Sequence, residues 1–166
     1  MRNLVAFPLL VMTVIVQSSV VSQVRLLSGY ADLTLVMLAA WALQDRVDSS
    51  WHWGAVACLF TGFVSGLPLP VMILGYFGVL LLAQALRRRV WQAPLLAMFS
   101  VVFFGTLSFH ILSFVVLRFL GTSFTFGEVM GLITLPSLLL NMLLSIPIYS
   151  FMRELSHWVY PAEEKS

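Results

Sequence analysis

Charge is what this chain has least of. Of its 166 residues only 10% are Asp, Glu, Lys or Arg, 60% are hydrophobic, and the mean hydropathy is +0.98. Soluble domains carry about 25% charged residues. Between Ser49 and Leu86 no charged residue occurs at all. A soluble core of this length has no room for so much apolar surface, whereas bilayer lipid does. Cysteine is nearly missing as well: Cys58 stands alone, which excludes an internal disulfide and a cysteine-based metal cluster. The sequence also lacks a His-Glu-x-x-His zinc pattern, a phosphate-binding P-loop, a Gly-x-Gly-x-x-Gly turn and a carboxylate cluster of the metal-binding kind. No cofactor, metal or catalytic group is expected, and the reading is of a non-enzyme. The pI of 9.0 rests on a net charge of only +2, so it does not point to nucleic acid.

The nine basic residues are unevenly placed. A membrane-spanning helix needs about 20 mostly apolar residues, and the chain divides into six such spans: about 4–21, 28–44, 51–66, 69–86, 93–117 and 128–152. One face then receives Arg2, Arg46, Arg87, Arg88, Arg89, Arg153 and Lys165, and the other only Arg25 and Arg118. Cytoplasmic loops keep Lys and Arg, so both termini are expected inside. The expected fold is all-α: a compact bundle of six transmembrane helices over 1–152, with a short polar cytoplasmic tail at 153–166. Span 2 reaches full length only by taking in Ser28, Gly29, Tyr30 and Asp32. The break between spans 3 and 4 falls at Gly66-Leu67-Pro68-Leu69-Pro70, where two prolines remove backbone donors. The first 22 residues are read as an uncleaved helix, because further spans follow the weak cleavage pattern of Ser18, Ser19 and Ser22. Trp51, Trp53, Trp91 and Trp158 fall near span ends, where aromatic rings favour the interface.

Several side chains stand out against this apolar background. Asp32 sits where span 2 begins. An ionisable group in a membrane segment is a functional candidate, but the preferred reading is a helix N-cap, alone or paired with Arg25 or Arg118, since one acid by itself does not make a proton or cation site. Span 6 carries Ser137, Asn141, Ser145 and Tyr149 at four-residue spacing, with Arg153 one turn on, so one helix face is polar. Thr13 and Gln17 repeat the pattern on span 1. Such a ridge either packs inside the bundle or meets a partner. Gly54, Cys58, Gly62 and Gly66 form a ridge of small residues on span 3, which allows close approach of another helix, in this chain or another. Pro136 and Pro147 are expected to open the span 6 ladder. His110 with Ser65 is too sparse a pairing to be read as a serine protease.

Together these segments resemble the MreD family, small integral membrane proteins of the bacterial rod-shape system. The likeness runs from Gln17 through Gln23-Val24-Arg25-Leu26-Leu27 to Tyr30-Ala31-Asp32-Leu33. It continues in the glycine-rich third span ending Gly62-Phe63-Val64-Ser65-Gly66-Leu67, and in the cluster Arg87-Arg88-Arg89. It closes on Leu135-Pro136-Ser137-Leu138-Leu139-Leu140-Asn141, running on to Tyr149 and Arg153. Two positions depart from the family pattern. Ala31 stands where proline is usual, and Leu67-Pro68-Leu69-Pro70 follows Gly66 where many relatives have an aspartate. The resemblance implies a non-enzymatic scaffold of the bacterial inner membrane that binds MreC and works with MreB filaments and the peptidoglycan synthases of elongation. On that reading the arginines Arg87, Arg88, Arg89 and Arg153 face lipid or MreB, and the small and polar ridges receive the MreC helix. The alternative is the substrate-binding membrane subunit of an energy-coupling-factor vitamin transporter, also a six-helix protein of this size. Such a subunit needs a pocket of converging polar groups and usually an Ala-x-x-x-Ala patch on span 1, where this chain has only Ala6.

Overall fold

Prolines and one polar cluster determine where the helices start and stop. A computed structural model describes residues 5–45, 47, 50–87 and 93–160. Helix α1 covers Ala6–Ser19 and passes through a 3-10 turn, Val21–Gln23, into a small hairpin of β1 (Arg25–Leu26) and β2 (Gly29–Tyr30). The strands pair antiparallel, Arg25 opposite Tyr30 and Leu26 opposite Gly29, with Leu27 at φ 56° in the turn. Then come α2 (Leu33–Ala42), α3 (Trp51–Val64), α4 (Leu69–Arg87) and α5 (Pro94–Phe119). The turn α6 (Phe126–Glu128) opens with a capping box between Thr125 and Glu128. It runs through a π-helical stretch, Val129–Thr134, into α7 (Leu135–Val159).

Three helical stretches are long and apolar enough to cross a membrane: Leu69–Arg87, Pro94–Phe119 and the continuous Phe126–Val159. The apolar helices in the first third of the chain are shorter. Pro94 starts α5 in the first turn, where its missing N–H would lack a partner anyway. Ser65, extended at ψ 143°, ends α3 ahead of the Gly66-Leu67-Pro68 turn.

Helix α2 sits at the centre. All ten of its residues, Leu33 to Ala42, are buried, as expected of a helix that is apolar all round. The neighbours α1, α3, α4, α5 and α7 surround it and turn large apolar side chains outward, among them Phe63, Leu74, Leu96, Phe104 and Leu143. Trp41 of α2 stacks on Trp53 at 4.2 Å between ring centres.

Four expectations change. The second span is not a helix over 28–44, because Ser28–Asp32 is hairpin and extended linker. The chain is therefore not purely α-helical. The last helix continues to Val159 with Met152 and Ser156 buried, so the polar tail does not begin at 153. Trp53 is a core residue at 2% exposure, not an interfacial anchor, while Trp158 is exposed and Trp91 lies outside the described residues.

Candidate functional site

The polar residues of the chain converge where the backbone enters α2. An extended segment inside an apolar bundle must satisfy its own N–H and C=O groups, each worth several kcal/mol if left bare in hydrocarbon. Here five of them, four N–H groups and one carbonyl between Ser28 and Leu33, are met by residues from elsewhere. Ser28 N–H donates to the Leu132 carbonyl at 3.0 Å. Tyr30 N–H donates to Ser137 Oγ at 3.1 Å, and Asp32 N–H to Asn141 Oδ1 at 2.7 Å. Gln17 grips the segment with both ends of its amide, Nε2 donating to the Ala31 carbonyl and Oε1 accepting from Leu33 N–H, each at 2.8 Å.

The register follows from geometry. Four residues of α-helix rise about 6 Å, and two residues of extended chain advance about 6.6 Å. Ser137 and Asn141, four apart on α7, therefore face residues 30 and 32, two apart on the incoming segment. Pro136 supplies the third contact. It has no N–H, so the carbonyl of Leu132 one turn earlier lacks a donor within the helix, and Ser28 provides it. Close approach needs Gly29: a Cβ there would stand 2.5 Å from the Ile133 carbonyl oxygen and 2.8 Å from Ser137 N. The π-helical stretch Val129–Thr134 lies at this crossing, and such insertions concentrate at functional sites.

Asp32 caps α2, its Oδ1 accepting from Leu35 N–H at 2.9 Å. The Tyr76 hydroxyl donates weakly to both carboxylate oxygens, at 3.4 and 3.3 Å. Asn141 passes the network on through Nδ2 to Thr106 Oγ1 at 2.9 Å. Two cavities open beside the carboxylate. One, of about 350 Å³, is lined by Gln17, Asp32, Thr34, Thr61, Ser65 and Tyr76, among others. The other, of about 330 Å³, is mainly apolar, with Phe109, Phe114, Leu117, Phe124 and Ile133. Tyr30, Asp32, Leu67 and Phe109 line both.

The residues singled out from sequence divide between this site and other places. Gln17, Asp32, Ser137 and Asn141 belong to it, and Ser145 lies fully buried one turn below, its hydroxyl donating to the Met142 carbonyl at 2.6 Å. The α7 ridge is thus consumed inside the bundle down to Tyr149; only Arg153 is exposed, paired with Glu154 at 3.6 Å. The ion pair offered for Asp32 is a correction: Arg25 Nε donates to the Ser22 carbonyl and Arg118 Nη1 to the Thr122 carbonyl, and among the described residues neither reaches the carboxylate. Both are exposed, where water competes for the guanidinium. Gly54 and Gly62 lie against Leu80 and Leu69 of α4, so that part of the ridge has an in-chain partner, while a Cβ on Gly66 would meet nothing within 4 Å.

Arg87 acts within the chain, its Nη1 donating to the Gln44 and Val47 carbonyls at 3.0 and 2.8 Å below the C-terminus of α2. Arg88 and Arg89 fall outside the described residues, as do Arg2, Arg46 and Lys165. Ser65 and His110 are each engaged elsewhere: Ser65 Oγ accepts from Leu67 N–H at 3.2 Å, and His110 Nδ1 lies 3.2 Å from Thr134 Oγ1.

Sequence reading missed Gly29, Tyr76, Thr106 and Thr34. Gly29 beside a tyrosine and a capping acid was the visible signal; the other three sit singly in apolar runs. It also missed the tightest helix crossing, where Gly75 of α4 sits on the Phe109 ring and Gly105 of α5 on Val79. Comparisons with protein-family models, with curated proteins and with solved structures each find no match.

Proposed function

We propose that this chain is an MreD-like, non-enzymatic scaffold of the bacterial inner membrane, crossing it six times with both termini inside. One observation carries the reading. Three of the separate segments on which the family resemblance rests, Gln17, Tyr30 to Leu33 and Pro136 to Asn141, meet in the buried knot around Asp32. Motifs dispersed over more than a hundred residues are thus parts of one structural device. The topology is supported by the loops. The hairpin, the Ser65–Leu67 turn and the Thr122–Phe124 loop line shared cavities at one end, and Gln44, Arg87, Pro94 and Arg153 gather at the other. On this reading the second end, with most of the basic residues, is cytoplasmic.

Because Asn141 is internal and Gly62 is partly covered by Leu69, partner contacts belong on the outward apolar faces. MreC, the elongation synthases and MreB remain the proposed partners. The test is affinity capture of the tagged protein from its native host in mild detergent, with mass spectrometry of what accompanies it. MreC and elongation synthases are expected. Paired ATPases with a coupling membrane subunit would overturn the scaffold reading.

That second outcome corresponds to a reading with one observation in its favour. A vitamin-transport subunit needs a pocket of converging polar groups, and the cavity beside Asp32 brings together Gln17, Thr61 and Tyr76.

A further inference from the structure

The two cavities flanking Asp32 differ in character and share a wall. The first is edged by carboxylate, amide and hydroxyl groups, the second by aromatic and branched side chains, and both contain Tyr30, Asp32, Leu67 and Phe109 in their lining. The carboxylate stands at the junction with two weak contacts from Tyr76 and the backbone donors of Thr34 and Leu35; among the described residues no cation pairs with it. Thr34, at 0% exposure, lines the polar cavity, and its Oγ1 has no hydrogen-bond partner. A buried hydroxyl is ordinarily satisfied, so an open acceptor and donor beside an unpaired carboxylate describe half of a binding site. The helix N-terminus, which would attract an anion, is already occupied by the Asp32 side chain. What the polar lobe still accommodates is positive charge with N–H donors.

We propose that this two-lobed cavity binds an amphipathic amine, its ammonium group held by the Asp32 carboxylate with Thr34 Oγ1 as a further acceptor, and its apolar or aromatic body lying toward Phe109 and Phe114. Intramembrane carboxylates serve elsewhere as ligand counter-ions for the same reason: a charge in a low-dielectric site is stabilised by a partner rather than by water. The proposal holds whether the chain scaffolds or transports. The ammonium can arrive on a soluble amine or on an aminophospholipid headgroup.

The probe is phenethylamine, titrated by calorimetry into the full chain in phosphatidylglycerol nanodiscs, with phenethyl alcohol as the neutral counterpart. Saturable 1:1 binding of the amine is expected, with the alcohol at least about tenfold weaker, a difference one ion pair supplies in a partly buried site. Asp32→Asn removes the charge but keeps a good helix cap, and is expected to abolish the preference for amine. Leu67→Trp fills the junction without touching charge and is expected to abolish binding of both. Repeating the titration with phosphatidylethanolamine in the nanodiscs separates the sources: competition assigns the site to a lipid headgroup, and unchanged binding assigns it to a soluble amine. No saturable binding, equal binding of amine and alcohol, or undiminished amine binding by a normally melting Asp32→Asn protein would each overturn the proposal.

Discussion

Replacing Asn141 by Leu tests whether the knot around Asp32 holds the bundle together. Asn141 is fully buried and does two things: Oδ1 accepts from Asp32 N–H at 2.7 Å and Nδ2 donates to Thr106 Oγ1 at 2.9 Å. Leucine has a similar branched shape, so the change in packing is small and the change in hydrogen bonding complete. Thr106 loses little, since its hydroxyl turns back to a carbonyl of its own helix, and an interhelical side-chain bond in a membrane averages about 0.6 kcal/mol. The Asp32 amide has no such recourse. Its extended backbone offers no helical acceptor, and an unsatisfied buried N–H costs about 1–3 kcal/mol. The expected loss is therefore about 2 kcal/mol, or roughly 4–8 °C in melting temperature for a chain of this size. Tryptophan fluorescence during unfolding in mixed micelles provides the assay, because the Trp41–Trp53 stack reports on α2 directly. Thr106→Val alone is expected to cost about 0.6 kcal/mol and nothing further in the Asn141→Leu background. Stability within about 0.5 kcal/mol of the parent, the range of ordinary surface changes, would refute the idea that the unwound entry depends on side-chain acceptors.

Gly29→Ala is expected to destabilise by about 2–3 kcal/mol, since the new Cβ meets backbone atoms that cannot swing aside, whereas Gly66→Ala, with open space around it, is expected within about 0.5 kcal/mol of the parent; thermal melts compare the two. Pro136→Ala restores an N–H to α7 that competes for the Leu132 carbonyl, so hydrogen exchange at Ser28 is expected to accelerate by about an order of magnitude, equivalent to about 1.4 kcal/mol; unchanged protection would show that the hairpin is held by its other contacts. Arg87→Met removes two charge-assisted bonds below α2 and is expected to cost about 1–2 kcal/mol, discounted for its partial exposure, again by melting. Asp32→Asn is expected to melt near the parent because asparagine caps as well as aspartate, and Asp32→Ala about 1 kcal/mol lower; equal losses in both would locate the role of Asp32 in its charge rather than in its cap.

What could be read in advance was periodic or local. The four-residue ridge of Ser137, Asn141 and Ser145 was plain because helical spacing is a property of one segment, and the cap at Asp32 because capping involves residues three apart. The unwound entry was not legible. Ser28, Gly29, Tyr30 and Asp32 suit the polar end of a spanning helix as well as they suit an extended segment, and only the partners decide between them. Those partners lie about a hundred residues away, at Leu132, Ser137 and Asn141. Gly75 and Gly105 were overlooked for a related reason. Each is a single glycine in an apolar run, and its significance is the ring or branched side chain that fills the space opposite. The glycine ridge on α3 was visible as a pattern, yet Gly54 and Gly62 meet chiefly the leucine tips of α4, and Gly66 meets nothing.

The internal use of the polar residues constrains how this chain can meet others. A bilayer offers no hydrogen bonds to non-helical backbone, so irregular chain at membrane depth survives only when enclosed by protein. Here the enclosure is provided by Gln17 from α1, Tyr76 from α4, Thr106 from α5 and the α7 ridge, and each of those side chains is thereby withdrawn from the outer surface. What remains outward along the middle of α3, α4, α5 and α7 is mostly apolar, with Phe63, Leu74, Phe104 and Leu143 all well exposed. Helices associate in lipid through close packing and shape more than through burial of apolar area, since the tails are as apolar as leucine. The groove between α4 and α5, where Gly78 leaves open space beside Leu74, Leu82 and Ser108, has relief of the kind that such packing uses.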